Sequence, residues 1–183
     1  MKRMILSLLA TVALALPASA SAELAAGAKA PTFTARGALG GKLFTVNLAQ
    51  ALKKGPVVLY FYPKAFTQGC TLEAHAFAEA TPAFRKAGAT VIGMSNDDFA
   101  TLQRFSSEAC RDKFAVATAT PAIVKAYDVD LVRDGKSTGL TKRTSYVIGR
   151  DGRVRFVHSD LDYKDHVRLT LEAVKALKGK RKG

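Results

Sequence analysis

Val57-Val58-Leu59-Tyr60-Phe61-Tyr62 is an unbroken run of β-branched, aliphatic and aromatic residues closed by Pro63. It has no polar face to offer to water, so it reads as a strand buried on both sides, which requires a sheet covered by helices. Pro63 withholds a ladder donor and fixes where that strand stops. Thr90-Val91-Ile92-Gly93-Met94-Ser95 has the same character. Between them the spacing of Leu72, Phe77, Ala80 and Phe84 predicts a helix from Cys70 to about Lys86, with Pro82 a kink or interruption. Strand, helix, strand implies a parallel pair joined by a right-handed crossover.

The remaining elements extend this plan. Pro31 to Val46 reads as an extended N-terminal hairpin with turns at Gly37 and Gly40-Gly41, and Asn47 to Leu52 as a short helical turn. A helix is expected from Phe99 to Ala109, capped by Asp97 or Asp98, with Cys110 at its end. Phe114 to Ala117 reads as a short strand, Pro121 to Tyr127 as a helix with proline near its start, and Gly135 to Gly139 as a loop. Arg143–Ile148 and Val154–His158 flank Gly149-Arg150-Asp151-Gly152-Arg153 as a hairpin, and Val167, Leu171, Val174 and Leu177 mark an amphipathic closing helix from Tyr163. The expected fold is α/β, with a central mixed sheet flanked by helices and an N-terminal β-hairpin.

The chain places one of its two cysteines at a telling address. Cys70 falls in the first turn of the helix that follows the buried strand, where unpaired N–H groups and the positive end of the helix dipole favour a thiolate. Gly69 supplies a flexible loop position. Thr67, three residues before the thiol, is placed to cap the helix with its hydroxyl and still reach the sulfur or its substrate.

The pattern Pro63-x-x-x-Thr67-x-x-Cys70 after a hydrophobic strand resembles the active-site signature of the peroxiredoxins, thiol peroxidases on a thioredoxin-like fold. Thr71-x-Glu73-Ala74 extends the likeness toward the branch typified by bacterioferritin comigratory protein, the Q type. Thr141 to Gly152 resembles the second landmark of that family, an arginine opening a strand that runs into a glycine-containing turn, and assigns the role to Arg143. The resemblance spans roughly Ala30 to Leu177. Gln68 departs from it, standing where the Q-type pattern usually has proline.

A thiol peroxidase reduces hydrogen peroxide or an organic hydroperoxide by attack of sulfur on one peroxide oxygen. Negative charge then builds on the departing oxygen, and donors aimed at that charge lower the barrier. The resemblance implies that the Thr67 hydroxyl, the Arg143 guanidinium and the Cys70 amide form this set, that Pro63 shields the sulfur, and that Glu73 orients the arginine. Glu73 is equally read as an acid favoured by a helix N-terminus. Attack leaves a sulfenic acid on Cys70, which a second thiol converts to a disulfide. The slot five residues on, used by many Q-type members, is His75, whereas Cys110 resembles members that carry the resolving cysteine on the following helix. Pairing across two helices calls for local unwinding around Cys70. A buried, inert Cys110 would leave a one-cysteine enzyme using an external thiol.

Other features bound the setting. Lys2 and Arg3, an apolar stretch from Met4 to Leu16, Pro17 and then Ala18-Ser19-Ala20-Ser21-Ala22 have the order of a secretory signal peptide over residues 1–22. The stretch is short against the about 20 residues of a membrane span. An uncleaved anchor is the alternative. The remainder, residues 23–183, fits one domain with a basic tail at about 178–183, in a periplasmic or secreted protein and with no stable membrane insertion after cleavage.

The formal net charge of +13 permits an acidic partner, but no aromatic-rich basic patch points to nucleic acid. His75, His158 and His166 lack metal-ligand spacing, so surface or supporting roles are expected, with no metal and no cofactor. Gly135-Lys136-Ser137 lacks the upstream glycine of a phosphate loop. Expected partners are a peroxide and a thioredoxin-like or other thiol reductant, for a monomer or dimer. Two alternatives stand beside this reading. An exported thioredoxin-like thiol-disulfide oxidoreductase is disfavoured because Thr67 occupies the first position of the Cys-x-x-Cys spacing such proteins need. A non-catalytic basic binding domain stapled by a Cys70–Cys110 disulfide is the other.

Overall fold

The computed structural model describes residues 23–179. The expected signal peptide and residues 180–183 of the basic tail lie outside them. Nine strands and five helices are ordered β1 (Thr34–Leu39), β2 (Lys42–Asn47), α1 (Leu48–Lys54), β3 (Val57–Phe61), α2 (Gln68–Lys86), β4 (Thr90–Ser95), α3 (Phe99–Glu108), β5 (Ala115–Thr118), α4 (Pro121–Tyr127), β6 (Asp130–Arg133), β7 (Lys136–Thr141), β8 (Thr144–Ile148), β9 (Val154–Ser159) and α5 (His166–Gly179). Seven strands form one mixed sheet in the order β2-β1-β5-β4-β3-β8-β9.

The run that dominates the sequence becomes the central strand. β3 pairs parallel to β4 and antiparallel to β8, and every residue of β3 and β8 is buried. Its side chains alternate between two cores: Val57, Leu59 and Phe61 pack with residues of α1 and α4, while Val58, Tyr60 and Tyr62 pack with residues of α2, α3 and α5. This two-sided burial is what the absence of a polar face demanded. β4 continues parallel to β5, so the strands β3, β4 and β5 end on the same edge of the sheet. Loops at that edge are the usual site position in parallel α/β sheets.

Several expectations are corrected. Gly37 is not a turn but an interior residue of β1, where an added Cβ would lie 2.1 Å from the Val116 carbonyl oxygen; glycine there lets β1 lie against β5. The turn is Gly40-Gly41 alone, both at positive φ. Residues 135–139 are not a plain loop: β6 and β7 form a two-stranded hairpin closed by Asp134 (φ 49) and Gly135 (φ 72), the Asp-Gly pair that suits a two-residue turn. α2 runs through Pro82 without interruption, with that proline on the solvent side. Leu72 is 41% exposed rather than buried, and the inner face of α2 is Glu73, Ala74, Phe77, Ala78, Thr81 and Phe84. Among the described residues no helix is long and apolar enough to cross a membrane.

Candidate active site

The connection from β3 to α2 is pinned before it reaches the thiol. Tyr62 N–H donates to the Met94 carbonyl at 3.0 Å, and the Thr141 hydroxyl donates to the Tyr62 carbonyl at 2.7 Å. Ala65 N–H donates to Asp97 Oδ2 at 2.8 Å, and the Ser95 hydroxyl donates to the same oxygen at 2.7 Å. Asp97 was a candidate helix cap; Asp98 does that work instead, accepting from Thr101 N–H, and Asp97 holds the loop. Half-buried Pro63 opens the loop, and Phe66 stands at φ 64, a left-handed conformation that is costly for a bulky residue. Its ring rests edge-on against Phe105 and beneath the Arg104 guanidinium, both on α3.

Thr67 is the N-cap residue of α2 by backbone conformation, but its hydroxyl donates to the Lys64 carbonyl at 2.9 Å and forms no bond to the first turn. The expected side-chain cap is therefore absent, because the left-handed Phe66 folds the loop back until Lys64 is within reach. The first backbone bond of the helix is Thr71 N–H to the Thr67 carbonyl. The amides of Gln68, Gly69 and Cys70 thus have no partner within the helix and remain able to meet an anion.

Cys70 is 1% exposed, and Arg143 approaches it from the start of β8. The guanidinium uses all its nitrogens: Nη2 lies 3.4 Å from Cys70 Sγ, Nε donates to the Leu161 carbonyl at 2.9 Å, and Nη1 donates to Glu73 Oε2. Glu73, one helical turn beyond Cys70, is wholly buried. Burial pushes its carboxyl up to about 8, against the downward pull of Arg143, whose own pKa is held up by Glu73 and Cys70 despite its burial. A proton on Glu73 belongs on Oε1, which has no hydrogen-bond partner, and leaves Oε2 accepting from the arginine. Glu73 thus faces Arg143 inside the protein and not solvent.

Cys110, just past the end of α3, is a free thiol with no exposed surface, as Cys70 is a free thiol. Burial, helped by Asp112, pushes the Cys110 thiol well up. The next two residues, Arg111 (φ 50) and Asp112 (φ 58), are both left-handed. The structure thus brings Cys70, Arg143 and Glu73 into one cluster with Thr67 and Pro63 on the loop above it. Cys110 lies in the same apolar core as Cys70, but not bonded to it.

Sequence reasoning missed the loop-holding contribution of Asp97, which reads as a cap. Of the surface or supporting roles expected for His166, the surface one is excluded: it has no exposed surface and sits behind the Glu73–Arg143 pair. Among the described residues no cluster of histidine, cysteine and acidic side chains has the arrangement of a metal site.

A thiol at a helix N-terminus beside a buried arginine held by a carboxyl group, on a mixed sheet flanked by helices, defines a thiol-based redox enzyme of thioredoxin-like architecture. Comparison with known proteins gives the family. Residues 26–157 match the model of the AhpC/TSA family. The chloroplastic peroxiredoxin Q of Oryza sativa subsp. japonica is 32% identical over 156 residues, which cover 85% of this chain and 69% of that protein. A putative peroxiredoxin bcp of Helicobacter pylori is 30% identical over 155 residues, covering 83% of this chain and 99% of that one. Among solved structures, the peroxidoxin BcpB of Mycobacterium tuberculosis superposes with a TM-score of 0.73 at 28% identity, covering 84% of this chain and 98% of that one. The chain belongs to the AhpC/TSA family as a peroxiredoxin of the Q-type and bcp kind, and is a thiol-dependent peroxidase.

Proposed function

We propose that Cys70 is the sulfur that attacks peroxide, in a peroxidase that reduces hydrogen peroxide and organic hydroperoxides. The observation that carries this is the Arg143 guanidinium 3.4 Å from Cys70 Sγ, a permanent cation that favours the thiolate and then meets the charge that develops on the peroxide. The thiolate attacks the nearer peroxide oxygen, an S–O bond forms as the O–O bond breaks, and the sulfur is oxidised to a sulfenic acid. The departing hydroxide or alkoxide takes up a proton and leaves as water or alcohol. Arg143 and the unpaired amides of the first turn of α2 are the donors to that oxygen, and the Thr67 hydroxyl joins them by turning away from Lys64.

Because Cys70 is buried, the peroxide enters when the Phe66–Gly69 stretch opens, and Phe66, Thr67 and Gln68 already face solvent. Organic hydroperoxides belong in the substrate class on two grounds. Exposed Phe66 and Leu72 flank Cys70 in the chain, and exposed Leu161 gives its carbonyl to Arg143; a solved bacterioferritin comigratory protein of Xanthomonas campestris, 28% identical with a TM-score of 0.68, is described as having alkyl peroxide reduction activity.

Cys110 then resolves the sulfenic acid: its thiol attacks the Cys70 sulfur, a disulfide forms and water leaves. Both cysteines start buried, so this step needs local opening, for which the left-handed pair Arg111-Asp112 beside Cys110 provides a strained hinge. An external dithiol of thioredoxin type reduces the disulfide. With residues 1–22 as a signal peptide, that donor is an exported thioredoxin-like protein. The test is turnover with hydrogen peroxide and cumene hydroperoxide in Cys70→Ser, which loses both activities; retained activity refutes the assignment.

A further inference from the structure

Arg143 is aimed by a loop as well as by Glu73. Its Nε donates to the Leu161 carbonyl, and its own carbonyl accepts from Asp160 N–H at 3.2 Å. Asp160 and Leu161 lie between β9 and α5, and Leu161 is 54% exposed. A loop carbonyl holds a direction only if something fixes the loop.

His166 does so. It is the first residue of α5, and its Nε2 lies 2.9 Å from the Asp160 carbonyl. A carbonyl only accepts, so Nε2 carries the hydrogen. In the neutral ring Nδ1 is then an acceptor, and it takes the Ser145 hydroxyl at 2.8 Å. Ser145 lies on β8, two residues beyond Arg143. One imidazole therefore ties the loop that holds the guanidinium to the strand that carries it.

The charge of the ring matters too. Nδ1 is 3.9 Å from Glu73 Oε1, the carboxyl oxygen without a hydrogen-bond partner. An imidazolium there would compete with Arg143 for Glu73. The charged or titratable groups around the ring are Glu73 from α2, Arg143 beside β8, His158 from β9 at 4.5 Å between ring centroids, and Asp160 in the loop. Burial, with His158 and Arg143 acting in the same direction and Asp160 opposing, pushes His166 down to about 4. It stays neutral at physiological pH and leaves Glu73 to the arginine.

We propose that His166 is a positioning residue of the peroxidase centre, a neutral imidazole that fixes the Asp160–Leu161 loop against β8 and so aims the Arg143 guanidinium at Cys70. The proposal rests on the assignment of Cys70 as the sulfur that attacks peroxide. His166 itself touches neither sulfur nor peroxide.

The experiment compares His166→Phe, which fills the space without polar atoms, with His166→Gln, whose amide reaches the Asp160 carbonyl, in the full-length protein. Single-turnover oxidation of Cys70 by hydrogen peroxide is followed across pH. In His166→Phe the rate constant falls about tenfold or more through misplacement of the guanidinium, and the acid limb of its pH profile moves to higher pH; His166→Gln recovers most of both. Combined with Arg143→Gln, the His166→Phe exchange has no further effect, because it acts through the arginine. Should His166→Phe not fold, His166→Asn takes its place, its shorter amide falling short of Asp160. A folded variant with the parental rate and pH profile overturns the proposal, as does an equal loss in His166→Gln or a full additive loss on top of Arg143→Gln. Activity surviving in Cys70→Ser refutes the Cys70 assignment instead, whatever His166 does.

Discussion

The Nη2 of Arg143 stands 3.4 Å from the sulfur of Cys70, although the two residues are separated by 73 positions in the chain. The fold reaches this by ending β3 at Phe61, two residues before Pro63, and opening β8 immediately after Arg143, so that neighbouring antiparallel strands deliver thiol and guanidinium to one edge of the sheet. A missing guanidinium removes a donor aimed at the transition state, and such a donor is typically worth about 100- to 1000-fold in rate. Arg143→Gln is therefore expected to lower the rate constant for Cys70 oxidation by about that factor, measured by single-turnover kinetics with hydrogen peroxide. Arg143→Lys recovers little of it, because a single ammonium does not serve sulfur, Glu73 and the Leu161 carbonyl together.

Glu73 makes stability depend on pH in a definite direction. Its folded-state carboxyl is raised to about 8 from the ordinary 4.5, so between those values the folded protein binds the proton more tightly than the unfolded chain. Its contribution to stability is present in full below about 4.5 and is lost as pH rises to about 8. Denaturant unfolding across this window should show wild type losing stability relative to Glu73→Gln as pH rises. Glu73→Ala, which removes a buried hydrogen bond to a charged group, costs about 1.5–3 kcal/mol near neutral pH.

Asp97 anchors the loop above the sulfur through Ala65 N–H and the Ser95 hydroxyl. Asp97→Ala strands the Ala65 amide and costs about 1–3 kcal/mol, read as a shift in the unfolding midpoint. The loosened loop lowers peroxide reactivity at the same time, whereas Asp98→Ala, which removes only the cap of α3, costs about 1 kcal/mol and spares the rate.

Cys110→Ser keeps the first oxidation of Cys70 at the parental rate, since Cys110 makes no hydrogen bond to the Cys70–Arg143–Glu73 cluster. The intramolecular disulfide is lost, and turnover then depends on a small external thiol. Stopped-flow oxidation followed by thiol counting separates the two steps.

Much of this fold is written locally. β3 and β4 declare themselves through apolar runs, α4 through Pro121, and the β8–β9 hairpin through Gly149 to Gly152. The β6–β7 hairpin carried a legible Asp134-Gly135 signal inside a polar segment whose serine, threonine and glycine content masked the strands. Gly37 misled because its demand is non-local: β5 approaches it from 80 positions away, at Ala117. Cys70, Arg143 and Glu73 are visible as motif positions, although an acid near a helix start reads equally well as solvent-facing. His166 is not, since a histidine in an amphipathic helix looks solvent-facing until α2, β8 and α5 close over it.

The central claim is tested most directly by intact-protein and peptide mass spectrometry after reduced protein meets a stoichiometric amount of hydrogen peroxide in the presence of a sulfenic-acid trap. The account predicts a trapped Cys70 in Cys110→Ser and a Cys70–Cys110 disulfide in the wild-type chain. Peroxide left unconsumed, with Cys70 recovered as the free thiol, would contradict it.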